Sequence, residues 1–175
     1  IAGRTYPLTR VFKHDFWAAT CLYESAQTAA AFPRAVVKFG RDHPFAGLPL
    51  QAVGEWLTAR EEAIYARLEG VAGIPRWIAR LSPRTCAIEY IDGRPLDHCD
   101  TPPAGFFDKL RTVIEAVHAR GVAYVDANKK SNILVTADGR PVLIDFQIAI
   151  ARHPDWPVPF ISIVRTTVGY TGKKD

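Results

Sequence analysis

The sequence predicts an α+β protein in two parts, and two observations carry this prediction. In the first part, short β-branched runs surround one long segment whose apolar residues recur at helical spacing. In the second part, another helical segment is followed by two short apolar strands with a turn signal between them. Strand-like sequence gives way to helix-like sequence near Asp92-Gly93-Arg94-Pro95. We therefore expect domains at residues 1–92 and 93–175.

The elements of the first part follow from local patterns. We expect its strands at about 10–13, 20–23, 35–39 and 86–91, with a further strand before the last of these. A helix is expected from Leu50 to Leu68, because apolar residues recur there at helical spacing with charges between them. The apolar residues that define this spacing are Val53, Trp56, Leu57, Ile64 and Leu68.

The second part begins with a helix predicted over residues 106–120. Phe107, Leu110, Val113, Ile114 and Val117 recur at helical spacing, and Gly121 is a typical residue for the position that follows a helix. Two short apolar strands come next. Asp138-Gly139 between them is a turn signal that favours positive φ, so the strands should pair as a hairpin.

Three polar side chains are brought together by that hairpin. Asp126 lies in the loop after the helix, Asn132 starts the first strand of the hairpin, and Asp145 ends the second. Pairing of the strands would place Asn132 and Asp145 at the same end, next to the loop of Asp126. A carboxylate beside a carboxamide suits a hard cation such as Mg²⁺, and a further carboxylate can accept a hydroxyl proton. This layout suits phosphoryl transfer; the alternative is a surface hairpin with two incidental carboxylates.

The same residues resemble the catalytic loop and metal-binding segment of the protein-kinase-like superfamily, whose patterns are H-R-D-x-x-x-x-N and D-F-G. Three departures from these patterns stand out. Tyr124 and Val125 replace the histidine and arginine, Gln147 replaces the glycine, and the gap from Asp126 to Asn132 is one residue longer. Similar departures occur in small bacterial members such as lipopolysaccharide-core sugar kinases and in Rio-type kinases.

The resemblance extends through the first part of the chain. Lys38 ends an apolar run that is similar to the V-A-I-K strand, which implies that it holds the α- and β-phosphates. Its implied partner is Glu61 on the long helix, with Glu62 as the alternative. The run that ends in Glu89 and Ile91 looks like the hinge of a kinase, so backbone groups of these two residues are expected to bind adenine.

The resemblance also implies the fold and the roles of the remaining groups. The fold would have two lobes, an antiparallel-sheet N-lobe and a reduced helical C-lobe. Asp126 would align the acceptor hydroxyl, while Asn132 and Asp145 would hold Mg²⁺ against the phosphates of ATP. Lys129 is placed like a lysine that contacts the γ-phosphate, and Lys130 is the alternate.

Two parts of the kinase pattern are missing. Residues 13–20 contain no glycine, although glycine lets the backbone approach phosphate oxygens closely. Phe16 or Trp17 would cover the site or pack in the core. The second missing part is most of the C-terminal lobe, because only residues 146–175 follow Asp145. Within them, 161–164 is expected to form a short strand or helical turn.

Composition narrows the partners. The net charge of +4, from 22 Lys+Arg and 18 Asp+Glu, suits an anionic nucleotide or peripheral contact with an anionic lipid surface. The basic residues form no arginine-rich stripe, so nucleic acid is not an expected partner. An odd number of cysteines without metal-site spacing indicates a reducing compartment, and we expect a cytoplasmic protein.

These observations predict an ATP-dependent phosphotransferase that acts on a hydroxyl acceptor. The acceptor is a sugar or lipid-linked sugar, or a protein serine or threonine, and the short second lobe favours the non-peptide acceptor. The alternative is a pseudokinase that serves as a nucleotide-binding or interaction module. The absent glycines and Gln147 favour this alternative. The complete set of Lys38, Glu61, Asp126, Asn132 and Asp145 argues against it.

Overall fold

The structure is a computed structural model that describes residues 5–14, 18–25, 31–40, 50–126 and 128–152. Phe16, Trp17 and the element expected at 161–164 lie outside the described residues. The chain divides into two compact units, one of residues 1–63 and 75–90 and the other of 64–74 and 91–175. The first unit is therefore not contiguous in sequence, and a domain boundary after residue 92 stays a prediction.

The described residues of the first unit form five strands and most of one helix. In chain order these elements are β1 (Leu8–His14), β2 (Ala18–Glu24), β3 (Arg34–Gly40), α1 (Leu50–Arg67), β4 (Trp77–Ser82) and β5 (Thr85–Glu89). The strands form one antiparallel sheet in the order β1-β2-β3-β5-β4. On β3, Ala35 and Val37 are buried on one face of the sheet. Lys38 belongs to the opposite face, because successive strand residues alternate between the two faces. The expected antiparallel sheet with one helix is thus present.

Helix α1 differs in detail from its prediction. Val53 and Trp56, which helped to define its expected apolar face, are 50% and 57% exposed. Ile64 of the same predicted face is buried, and the helix also buries Thr58 and Glu61, both of which have polar partners. The Thr58 hydroxyl donates to the Gly54 carbonyl at 3.0 Å, a local bond that satisfies a buried hydroxyl without a partner from another element. The buried face therefore follows polar pairing as well as hydrophobicity.

The part of the second unit that the structure describes contains one complete α-helix and two small sheets. After the end of α1 its elements are β6 (Gly93–Pro95), α2 (Phe106–Ala119), β7 (Val122–Ala123), β8 (Ile133–Thr136), β9 (Pro141–Leu143) and β10 (Ile150–Ala151). Short 3₁₀ turns cover Leu96–His98 and Lys130–Asn132. Helix α2 ends where predicted, since Gly121 directly after its last turn has a φ of 71°.

The predicted hairpin is formed by β8 and β9, with β6 on the other side of β8. Its register pairs Ile133 with Leu143 and Val135 with Pro141. Gly139 in the connecting turn has a φ of 73°, which explains the need for glycine after Asp138. The hairpin thus has a turn end at residues 137–140 and an open end at Ile133 and Leu143, where the polar side chains are expected.

Candidate active site

Lys38 and Glu61 form a close ion pair within the first unit. The Lys38 ammonium donates to Glu61 Oε1 at 2.6 Å, with 15% of the lysine side chain and 1% of the glutamate side chain exposed. The alternative partner, Glu62, instead lies 3.5 Å from Arg80. Because a buried carboxylate needs a countercharge, Glu61 fixes where the lysine ammonium lies. A cation held in this way is suited to bind an anionic group.

A thiol lies beside this ion pair without competing for it. Cys86 on β5 is the direct cross-strand neighbour of Lys38, and it is 2% exposed. Burial raises the pKa of the Cys86 thiol to about 12, and the negative charge of Glu61 adds to the rise. The thiol is therefore neutral at pH 7 and adds no second negative charge beside Lys38.

Asp126 and Asn132 meet in the second unit despite the longer gap between them. The Asn132 Nδ2 donates to Asp126 Oδ2 at 3.3 Å, and Asn132 is 5% exposed. Two backbone bonds fold the segment between them: Lys129 N–H donates to Asp126 C=O, and Asn132 N–H donates to Lys129 C=O, both at 2.9 Å. The extra residue is thus absorbed by the 3₁₀ turn at Lys130–Asn132.

Both strands of the hairpin are shorter than predicted at the end next to the site. Asn132 was expected to start a strand, but it ends the 3₁₀ turn, and β8 begins at Ile133. Asp145 was expected to end a strand, but β9 ends at Leu143. Asn132 and Asp145 thus lie next to strand ends but outside the strands. Their side chains therefore need not follow the alternating directions of strand residues.

A backbone hydrogen bond brings the segment of Asp145 next to Asn132. The Ile144 N–H donates to the Asn132 carbonyl at 3.0 Å, so Asp145 comes directly after a residue bonded to Asn132. Among the described residues other than glycine, Asp145 alone has a positive φ, of 64°. Such a conformation costs an aspartate on the order of 1 kcal/mol and is concentrated at functional sites.

Tyr124 holds both backbone segments of this site. Its hydroxyl lies 2.5 Å from the Ile144 carbonyl and 3.4 Å from the Asn132 carbonyl, and the residue is 1% exposed. Its ring packs on Phe146, with ring centroids 5.0 Å apart, and Phe146 packs in turn on Tyr65 at 5.4 Å. The sequence pattern marked Tyr124 only as a departure from histidine. The signal that was missed is that a tyrosine in an apolar setting needs a partner for its hydroxyl.

The donor set at this end of the hairpin fits a magnesium ion. Asn132 donates through Nδ2, so its Oδ1 is the atom that can coordinate a cation, and Asp145 supplies a carboxylate. In the described part of the chain, no three His, Cys, Asp or Glu side chains cluster into a protein cage for a metal. Mg²⁺ does not require such a cage, because it usually keeps waters and binds one or two protein oxygens together with phosphate. The two lysines of this segment, Lys129 and Lys130, are exposed.

Glu89 has a side-chain partner that the sequence did not suggest. Arg76 Nε and Nη2 donate to the two carboxylate oxygens of Glu89, each at 3.0 Å, and the Glu89 N–H donates to the Arg76 carbonyl at 2.8 Å. Partial burial would raise the pKa of Glu89, but the hydrogen bonds and charge of Arg76 hold it below the usual value. The side chain is thus occupied within the sheet, and the expected adenine contacts of Glu89 and Ile91 concern their backbones alone.

Comparison with known proteins identifies the fold. No protein-family profile and no curated protein matches the chain. Among solved structures, the Rio2 kinase from Chaetomium thermophilum matches over 97% of this chain at 19% identity with a TM-score of 0.67. The same kinase as an ADP/Mg²⁺-phosphoaspartate complex matches over 97% at 20% identity with a TM-score of 0.61. The chain spans less than two thirds of these proteins, 65% and 63% of their lengths.

The expected α+β fold is therefore confirmed, and the two Rio2 structures do not show the resemblance to lipopolysaccharide-core sugar kinases. Sequence identities of 19% and 20% support the fold alone. The role of each side chain has to rest on its own geometry. In the described residues, no helix is long and apolar enough to cross a membrane. By its sheet order, its helices and its structural neighbours, the chain is a protein with the fold of the protein-kinase-like superfamily.

Proposed function

We propose that the chain is an ATP-dependent phosphotransferase that transfers the γ-phosphate to a hydroxyl acceptor. The observation that carries this proposal is the grouping at the open end of the hairpin. There Asp126 and Asn132 are hydrogen-bonded, and Asp145 follows a residue whose N–H is bonded to Asn132. A kinase-like fold with these groups at the expected chain positions favours phosphoryl transfer over a surface hairpin.

Phosphoryl transfer depends on positioning and on neutralising charge, and each residue has a proposed part in it. Lys38, oriented by the buried carboxylate of Glu61, contacts the α- and β-phosphates. Asn132 Oδ1 and the Asp145 carboxylate hold Mg²⁺, which neutralises phosphate charge when bound. Lys129 contacts the γ-phosphate.

Asp126 is proposed to act on the acceptor. Its Oδ2 accepts the hydrogen bond from Asn132, which orients the carboxylate and leaves Oδ1 to align a hydroxyl and take its proton. The acceptor is a sugar or lipid-linked sugar hydroxyl, or a protein serine or threonine. Contact with a lipid surface stays a prediction from charge.

A second function, a pseudokinase that binds nucleotide without turnover, is favoured by two observations. Residues 13–20 lack the glycines that let a backbone approach phosphates, and Gln147 replaces the glycine of the D-F-G pattern. Both functions include nucleotide binding, so binding alone tests the part that they share, and turnover separates them.

Nucleotide binding is tested by thermal unfolding with ATP in the presence of Mg²⁺ or of EDTA. At about a hundred times its dissociation constant, ATP with Mg²⁺ should stabilise the parent by ~2.7 kcal/mol. Asp145→Asn should lose most of the Mg²⁺-dependent part. Asp138→Asn is the matched control, because Asp138 lies at the turn end of the same hairpin and binds Thr136 and Arg140. Equal stabilisation with Mg²⁺ and EDTA would refute the metal site.

A further inference from the structure

A groove lies within the second unit, apart from the proposed catalytic and metal-binding side chains, and it shares only Ile91 with the residues expected to bind nucleotide. It has a volume of about 590 Å³, which falls within the range of pockets that bind organic molecules. The hairpin forms one of its walls through Thr136, Arg140, Pro141 and Val142. These residues belong to the turn end of the hairpin, whereas Asn132 and Asp145 lie at its open end. Neither of these two residues lines the groove, and neither does Asp126 or Lys129.

The base of the groove is built by a close packing of backbone and side chains. The Leu143 N–H donates to the Gly73 carbonyl at 2.9 Å, which joins β9 to the turn after α1. A Cβ on Gly73 would lie only 2.8 Å from Val113 Cγ2 of α2 and 3.1 Å from the Pro141 carbonyl. The turn, α2 and the hairpin are therefore in van der Waals contact at this point, and the floor is fixed before any ligand binds.

The lining has an apolar floor and a cationic end. Aliphatic side chains such as Ile74, Ile91 and Val113 supply most of the floor. Among the described residues, the charged members of the lining are Lys109 and Arg140, and none is acidic. Asp138 lies outside the lining but binds Arg140 Nε, so the terminal nitrogens of the guanidinium are the donors that would contact a ligand. Both cations lie at the hairpin turn, because Lys109 Nζ is 3.5 Å from the Gly139 carbonyl and Arg140 is the next residue. The turn itself is braced by the Thr136 hydroxyl, which accepts from the Arg140 N–H at 2.9 Å.

We propose that this groove binds a small anionic amphiphile, with its carboxylate, phosphate or sulfonate head at Lys109 and Arg140 and its apolar body on the aliphatic floor. Charge complementarity favours an anionic head, because hydrogen bonds from Lys109 and Arg140 to a charged acceptor are stronger than those to a neutral one and a cationic head is repelled. The concave floor selects a free molecule, because the flat surface of a bilayer does not fill it. The proposal does not depend on the phosphotransferase function.

The test uses the fluorescent anion 1-anilinonaphthalene-8-sulfonate and its neutral analogue N-phenyl-1-naphthylamine, each titrated with saturating ATP and Mg²⁺ present. The parent should bind one sulfonate saturably. The double variant Lys109→Gln/Arg140→Gln should weaken that binding by about tenfold or more, since each cation supplies a charge-assisted contact. Binding of the neutral dye should change by less than twofold. Both cations are exposed, so these variants are expected to fold.

Two further variants make the result specific to the groove. Arg111→Gln removes an exposed cation from the same helix that does not line the groove, and it should leave sulfonate binding unchanged. Ala72→Trp fills the groove from an exposed lining position and should abolish binding of both dyes. Competition by dodecyl phosphate and by dodecanoate, each below its micelle concentration, then identifies the preferred head group.

Several results would overturn the proposal. These are an absence of saturable sulfonate binding, an equal loss with Arg111→Gln, an equal effect of the double variant on the neutral dye, and unchanged binding in Ala72→Trp. Release of the dye by ATP would place it in the nucleotide site instead. Binding to anionic vesicles that the double variant loses, without binding of monomeric dodecyl phosphate, would assign the cations to a lipid surface and also contradict the proposal.

Discussion

Glu61 is a carboxylate with 1% of its side chain exposed, and its charge is balanced by Lys38 at 2.6 Å. Removing one partner of a buried ion pair leaves the other charge in a low-dielectric setting, which costs more than the pair contributes. The two residues are therefore unequal in their effect on stability. Lys38, at 15% exposure, can reach water when Glu61 is lost, whereas Glu61 cannot when Lys38 is lost.

This inequality predicts the stability of three variants. Lys38→Met should lower the free energy of unfolding by about 3 kcal/mol, because Glu61 stays buried without its cation. Glu61→Gln should lower it by less, and Lys38→Met/Glu61→Gln should recover part of the loss of the single lysine variant. Urea denaturation at pH 7 measures all three. If Lys38→Met is as stable as the parent, Glu61 does not depend on the lysine for its countercharge.

Tyr124 provides a second prediction, which concerns the geometry of the proposed metal-binding residues. Tyr124→Phe removes only the hydroxyl that contacts the carbonyls of Ile144 and Asn132. We expect a loss of about 1 kcal/mol in stability and a weaker dependence of ATP binding on Mg²⁺, because Asn132 and Asp145 lose a common anchor. Thermal unfolding with and without Mg²⁺ measures both.

Tyr65→Phe is the control for this variant, since Tyr65 is also buried and packs on the same Phe146 ring. It should leave the Mg²⁺ dependence unchanged. If the two phenylalanine variants have the same Mg²⁺ dependence, the Tyr124 hydroxyl stabilises the fold without positioning Asn132 and Asp145 for the proposed metal.

At the scale of elements, local sequence patterns predicted the strands, helix and turn whose structure depends on residues close together in the chain. Strands β2 and β3, helix α2 and the Asp138-Gly139 turn were predicted within two residues of their bounds, because β-branched runs, helical periodicity and glycine are local features. The sequence also placed Lys38 opposite an acidic position on α1 and named Glu61 ahead of Glu62. The preference for Glu61 came from its position along the predicted helix, and the helix in the structure keeps that position.

What the sequence did not predict depends on partners distant in the chain. The exposed Val53 and Trp56 share their helical period with core residues, so periodicity alone assigns them to the wrong face. The 3₁₀ turn before Asn132 arises because Asp126 binds the Asn132 side chain. Arg76 lies outside every motif, and its role appears only when β4 and β5 pair and bring it to Glu89.

The Arg76–Glu89 pair predicts a dependence of stability on pH. The pKa of Glu89 is lower in the folded protein than its ordinary value, so the pair stabilises the fold above the ordinary glutamate pKa of about 4.3. That stabilisation is lost as the pH falls through the lower, folded pKa. Because Arg76 is 60% exposed, we expect a contribution of about 1 kcal/mol or less at pH 7.

The measurement is urea denaturation of the parent, Arg76→Gln and Glu89→Gln between pH 7 and pH 3. The differences from the parent should shrink below about pH 4. Part of the Arg76→Gln difference should persist, because the guanidinium also lies 4.5 Å from the centroid of the Phe32 ring, a contact that does not titrate. Differences that stay constant down to pH 3 would show that the Glu89 charge contributes nothing.

At the scale of the whole molecule, the kinase-like fold is common to an enzyme and to a binding module. Fold alone does not decide between them, since function depends on the side chains that a fold carries. The Lys38–Glu61 pair of the first unit fits both functions, since both include nucleotide binding. The carboxylate of Asp126 in the second unit, with its proposed role at the acceptor hydroxyl, separates the enzyme from the binding module.

The most direct test of the central claim is transfer of ³²P from [γ-³²P]ATP to sugar, lipid-linked sugar and protein acceptors, or slow hydrolysis without an acceptor. Asp126→Asn should keep ATP affinity, because asparagine can still accept the Asn132 hydrogen bond, while turnover falls by about 10²–10⁴-fold. Asp145→Asn should lose both, and the control Asp138→Asn should lose neither. A parent whose turnover with every acceptor equals that of Asp126→Asn would contradict the phosphotransferase and leave a nucleotide-binding module.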